Sequence, residues 1–241
     1  MNKRNMQRKQ WTLPVLKMLC LTAFICLAIV IIYINYRTLD SWILADLVHI
    51  PQFLIPFLII CYITRGRLSD YGFNLKQASP PFTYKRMFII GIVFGCLMSL
   101  RYIPQIIGNN PVDIPQPVNL TSVIGNLSFQ WIVVGVCEET MFRGLIQTYL
   151  MKKLEGNVKI LGQYLHIGTV LSAIFWGGFH FVNILVMPAG NVIFFVLLTT
   201  AIGLLMGYAY QKTGSLLTTI IVHNTLFGVH LTIGYILYWL F

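Results

Sequence analysis

Charge is what this sequence has least of. Its 241 residues include only seven Asp and Glu and 17 Lys and Arg, so that 10% are charged. A soluble domain carries about 25%, which excludes an ordinary soluble fold. Cysteines at metal-ligand spacing are lacking as well. The five present (Cys20, Cys26, Cys61, Cys96 and Cys137) all lie in apolar stretches, and none forms C-x-x-C. They suggest neither a zinc knuckle nor a disulfide framework and read as small buried apolar residues. H-E-x-x-H is absent, and no two histidines are four residues apart. No low-complexity tract and no clear internal repeat stands out. The formal net charge of +10 could point to nucleic acid. The basic residues instead sit at the ends of apolar runs, so no nucleic-acid partner is expected.

What the chain has in abundance is apolar length. It is 57% hydrophobic, with a mean hydropathy of +0.74. A membrane-crossing helix needs about 20 apolar residues. Runs of that kind extend over about Leu13–Tyr36, Ser41–Ile63, Met87–Ile107, Val123–Lys152, Leu165–Leu185, Val192–Tyr210 and Leu216 to the C-terminus. The expected fold is therefore all-α: a polytopic membrane helix bundle of about seven transmembrane helices. Residues 1–12 read as a basic cytoplasmic N-terminus and 13–241 as a single membrane domain. The first apolar run is too long for a signal-peptide core and lacks a small-residue cleavage site, so a retained anchor is expected. Pro51 and Pro56 interrupt the second run. Gly66, Gly72, Pro80 and Pro81 break the polar connection from Arg65 to Arg86, Gly156–Gly162 turns the chain, and Met187-Pro188-Ala189-Gly190 ends the fifth run.

Orientation follows from Lys and Arg. Arg65, Arg67, Lys76, Lys85, Arg86, Lys152, Lys153, Lys159 and Lys212 all fall in connections that share one side. On the other side, Arg37 is near a helix end, while Asn109–Thr121 and Asn183–Gly190 carry no Lys or Arg. This predicts an N-terminus in the cytoplasm and a C-terminus outside. The basic surface would face the anionic inner leaflet, with membrane lipids as its partners. The short basic loops and small size suggest a bacterial cell membrane.

The informative stretch is Cys137-Glu138-Glu139-Thr140-Met141-Phe142-Arg143-Gly144. A charge at the bilayer centre costs about 2.5–3.5 kcal/mol on insertion scales. Two carboxylates and a guanidinium placed there must pair, line a wet cavity or do chemistry. On a helix Glu139 and Arg143 are i and i+4 and share a face, where the guanidinium suits a carboxylate. Glu138 points about 100° away and is the spare carboxylate, which could serve as an acid or base; a purely structural ion network is the alternative. Trp176-Gly177-Gly178-Phe179-His180 and His223-Asn224 put two further histidines inside apolar runs. Gly177 and Gly178 would let a neighbouring helix approach closely. His230 lies seven residues after His223 on the same face, as an interhelical hydrogen-bond partner. His49 and His166 sit near span ends and read as structural.

Three elements in order, Glu138-Glu139-x-x-x-Arg143, Trp176-x-x-x-His180 and His223 in the last span, resemble the CAAX-protease and bacteriocin-processing (Abi) family of intramembrane proteases. The resemblance runs from about Asn119 to Phe227, so that the protease-like core lies within about 119–241. It implies that Glu138 and His180 activate the attacking water, that Glu139 and Arg143 hold the site together, and that His223 helps to form the oxyanion hole. It implies a glutamate-type endopeptidase, of a kind once classed as metalloproteases, acting on a membrane-associated peptide or protein with no cofactor; zinc is not favoured. Two positions depart from the family pattern. Trp176 replaces the usual Phe, and Phe227 stands where Asn or Asp is usual, leaving Asn224 as the nearest amide. A family member that acts by binding in bacteriocin immunity or regulation without cleaving, and a small transporter that uses the Glu–Arg pair as a relay, remain the alternatives.

Overall fold

The computed structural model describes residues 3–76 and 81–241, with side chains from Trp11 onward. The side chains of Lys3, Arg4, Arg8 and Lys9, and Pro80, lie outside the described residues. Among the described residues, seven helices are long and apolar enough to cross a membrane: Trp11–Tyr36, Ser41–Thr64, Tyr84–Ile107, Leu120–Lys153, Ile167–Leu185, Ala189–Thr213 and Leu216–Leu240. They are called the first to seventh spans below. The chain is an integral membrane protein with an all-α bundle, as its apolar runs require. Leu13, Leu16, Phe24, Leu27, Ile31 and Ile34 of the first span are exposed, which suits a lipid-facing helix rather than a soluble one.

Span ends shift by up to three residues from the sequence reading, and two connections differ from it in kind. Residues 156–162 do more than turn the chain: Asn157–Ile160 (β1) and Gln163–His166 (β2) pair antiparallel as a hairpin. Leu161 and Gly162, with φ of 48° and 81°, form its two-residue loop, the positive φ values that suit strand twist. Four-residue strands are too short to show an alternating pattern, and Leu is not a residue that announces such a turn. The sixth span starts at Ala189, so the break before it ends at Pro188, and Ala189 and Gly190 form its first turn. His166 caps the fifth span: its Nδ1 accepts from Gly168 N–H at 2.9 Å. Burial pushes the pKa of His166 down, which keeps that nitrogen bare for the cap.

The third span packs along the seventh and the fifth along the sixth. Small residues allow both contacts, as packing between membrane helices demands. A Cβ on Gly91 would sit 2.6 Å from Thr225 Cβ, and one on Gly95 would sit 2.7 Å from the Leu226 carbonyl oxygen. Of the fifth-span pair, Gly177 is the one at a close approach, against Thr200 and the Val196 carbonyl, whereas Gly178 faces open space. His230 bridges to the third span: Ser99 Oγ lies 3.2 Å from its Nδ1 and Tyr102 Oη 3.2 Å from its Nε2.

The fourth span is not a uniform α-helix. It widens into π-helix at Phe129–Val133 and again at Thr140–Gln147. Such widenings free backbone groups and recur at functional sites. Here side chains, most of them from neighbouring spans, take up the freed groups. Asn224 Oδ1 accepts from Gly135 N–H at 2.7 Å, and Asn224 Nδ2 donates to the Ile132 carbonyl at 3.0 Å. Ser172 donates to the Phe142 carbonyl at 2.7 Å, and Thr148 to that of Arg143 at 3.0 Å. Glu138 and Glu139 lie on the short α segment Val134–Glu139 between the two widenings.

Candidate active site

The two adjacent glutamates part company, as a helix makes them. Glu139 is fully buried; its Oε1 accepts from Arg143 Nη1 at 3.0 Å and lies 2.9 Å from His223 Nδ1. Arg143, 1% exposed, also donates to the Gly203 carbonyl at 3.4 Å. Its guanidinium carbon stands 4.5 Å above the Trp176 ring, a cation–π contact. Glu139, Arg143 and His223 thus form a closed unit joining the fourth and seventh spans. With Glu139 ionised by Arg143, His223 donates from Nδ1. Its Nε2 is buried with no partner.

Glu138 turns the other way. Its Oε2 accepts from the Trp176 indole N–H at 2.5 Å, and its Oε1 lies 3.4 Å from His49 Nε2. Together with His180, it lines a cavity of about 320 Å³ between the second span and the end of the fifth, beside His49, Gln52 and Asn183. His180 sits where the fifth span passes from α-helix to 3-10 helix. Its Nδ1 lies 2.8 Å from the Trp176 carbonyl oxygen. A carbonyl only accepts, so this nitrogen carries the proton and Nε2 is left with a lone pair.

Trp176 is the hub. Completely buried, it contacts Glu138, supports Arg143, and has its ring 5.4 Å from that of His180 and 5.6 Å from that of His223. A phenylalanine at this position would have no N–H for Glu138. The ring of Phe227 lies 5.1 Å from that of His223. Asn224 has both ends of its amide engaged with the backbone of the fourth span, so it does not take the place of the amide missing at 227.

The structure therefore brings Glu138 and His180 to one cavity and ties Glu139, Arg143 and His223 together behind Trp176. Asn224 supports the fourth span rather than the cavity. His223 is not among the residues that line the cavity. Sequence reasoning missed the second span, whose Asp46, His49 and Gln52 recur every third residue in an apolar run. That spacing was the available signal.

Among the described residues no group of three or more His, Cys, Asp and Glu side chains could hold a metal ion.

Residues 120–228 match the family model of type II CAAX prenyl endopeptidases, Rce1-like. No curated protein and no solved structure matches the chain.

Proposed function

We propose that this integral membrane protein, Rce1-like over residues 120–228, is an intramembrane endopeptidase. In this reading it hydrolyses a peptide bond of a membrane-associated peptide or protein by glutamate- and histidine-activated water. The carrying observation is that Glu138 and His180 line one cavity, with His180 Nδ1 held by the Trp176 carbonyl so that its Nε2 keeps a lone pair. A water between them gives up a proton as its oxygen bonds to the scissile carbonyl carbon. That proton passes to the leaving nitrogen as the C–N bond breaks, so acid and base are the same groups in turn. Charge develops on the carbonyl oxygen, where preorganised donors contribute most. His223, whose Nε2 is buried without a partner, is proposed as such a donor. Glu139 and Arg143 stay an ion pair throughout. No metal takes part: treatment with a chelator is expected to leave activity intact, and loss of activity restored by stoichiometric zinc would overturn this.

The experiment is cleavage of a membrane-peptide library in detergent or vesicles by the wild type and by Glu138→Gln. The variant is expected to lose cleavage while its melting in detergent is nearly unchanged. Retention of more than a tenth of wild-type activity, on the 10²–10⁴-fold scale of acid–base catalysis, would sink the assignment. A second reading, a regulator or immunity protein that binds a peptide without cutting it, is favoured by Phe227 at the oxyanion position. Binding by both proteins with cleavage by neither would support it.

A further inference from the structure

Glu138 faces a histidine of the second span as well as Trp176. His49 Nε2 lies 3.4 Å from Glu138 Oε1, and the His49 ring packs edge-on against Phe129 with centroids 4.8 Å apart. The other ring nitrogen, Nδ1, lies 2.7 Å from the Ala45 carbonyl oxygen. That oxygen only accepts, so Nδ1 bears a proton. A neutral His49 would then turn a bare Nε2 lone pair towards a carboxylate oxygen, which is repulsive. A proton must lie between His49 and Glu138. Glu138 already accepts a short bond from Trp176 on its other oxygen, and two donors on one carboxyl group favour its ionised form.

Charge balance points the same way. Arg143 is bonded to Glu139, which leaves Glu138 as a second buried anion. In an apolar bundle a charge without a partner is costly. His49 as imidazolium would give Glu138 a cation of its own.

We propose that His49 is a positioning residue of the site: an imidazolium that shares its Nε2 proton with Glu138, keeps that carboxylate ionised and aims it into the cavity. The proposal deepens the protease reading and rests on it for its kinetic consequences. The groups facing the pair are Asp46 on the same span, Tyr33 at the cavity wall from the first span, Cys137 and Arg143 on the fourth, His180 on the fifth and His223 on the seventh. Asp46 Oδ1 is buried with no partner, on the same helix three residues before His49, where it favours a cation.

Two measurements test this. The first needs no activity: nitrogen NMR of ¹⁵N-histidine-labelled protein in detergent, with the His49 signal identified by its loss in His49→Gln. The expected result is a doubly protonated His49 at neutral pH that turns neutral in Glu138→Gln. A neutral His49 in the wild type would overturn the proposal. The second is kinetic. His49→Phe is expected to lower kcat about 100-fold with KM little changed. His49→Gln, which offers a neutral N–H near the same place, should regain part of that rate. Its activity should no longer fall on the alkaline side, where the wild type loses the His49 proton. If His49→Phe does not fold, His49→Gln decides: an alkaline limb identical to that of the wild type overturns the proposal. A wild type that cleaves nothing refutes the protease reading, and the nitrogen spectrum then decides on the pair by itself.

Discussion

At the residue scale, what matters is how two neighbouring carboxylates come to differ. Helix geometry turns Glu139 to Arg143 and Glu138 to the cavity. That much was legible in the spacing, because i and i+4 share a face whatever the surroundings. The partners of Glu138 were not, since His49 and Trp176 reach it from other spans, 89 and 38 residues away in sequence. Two variants test the division. Arg143→Ala leaves Glu139 and His223 buried with an uncompensated charge, at about 3–5 kcal/mol. Folded yield and detergent melting temperature should both drop along with activity. A normal melting curve with lost activity would instead place Arg143 in direct contact with substrate. Trp176→Phe keeps an aromatic face under Arg143 but removes the donor to Glu138 Oε2. A hydrogen bond to a charged group is worth about 1.5–3 kcal/mol, so kcat should fall at least about tenfold. Unchanged kcat would show that the indole N–H does not hold Glu138 during turnover.

At the element scale, the fourth span trades regularity for position. A continuous α-helix from about Val123 to Lys152 was the natural expectation from its apolar run, and no residue in it announces the π-helical stretches at Phe129–Val133 and Thr140–Gln147. They are stabilised from outside, by Asn224, Ser172 and other side chains that accept or donate to the freed backbone. The hairpin of β1 and β2 was illegible for a related reason, since its strands are held by each other and by Gln211 rather than by their own pattern. Asn224 is therefore expected to act on structure first. Asn224→Ala strands the Gly135 N–H and the Ile132 carbonyl at about 1–3 kcal/mol each. The melting temperature should fall, and hydrogen exchange at the Gly135 amide should accelerate. Loss of activity with unaltered exchange at Gly135 would assign the amide to the chemistry instead.

At the scale of the whole molecule, the connections sort by end. Leu216 N–H donates to the Gly72 carbonyl at 2.9 Å, Ser215 Oγ to that of Asn74 at 2.8 Å, and Lys152 Nζ to that of Asp70 at 3.0 Å. Gln211 reaches Tyr164 and His166 of the hairpin. The connections after the second, fourth and sixth spans thus touch one another at one end of the bundle, and they are the ones that carry Arg65, Arg67, Lys76, Lys153, Lys159 and Lys212. The opposite end has Arg101 paired with Asp113 at 3.1 Å. Packing and charge agree on which ends belong together, and the positive-inside rule assigns the basic end to the cytoplasm. We propose on this ground that the N-terminus is cytoplasmic and the C-terminus outside; the cavity of Glu138 would then lie on the outer side of the bundle, because its lining residues Ser41, Leu185 and Val186 adjoin the outer connections. Reporter fusions after Arg67, Asn110, Gly156, Met187 and Gly214 should read inside, outside, inside, outside, inside. Uniform reversal of the pattern would invert the protein and move the rim of the cavity to the cytoplasmic side. A cytoplasmic signal at Asn110 with the other four as expected would break the seven-span topology, because the third span could then no longer cross beside the seventh.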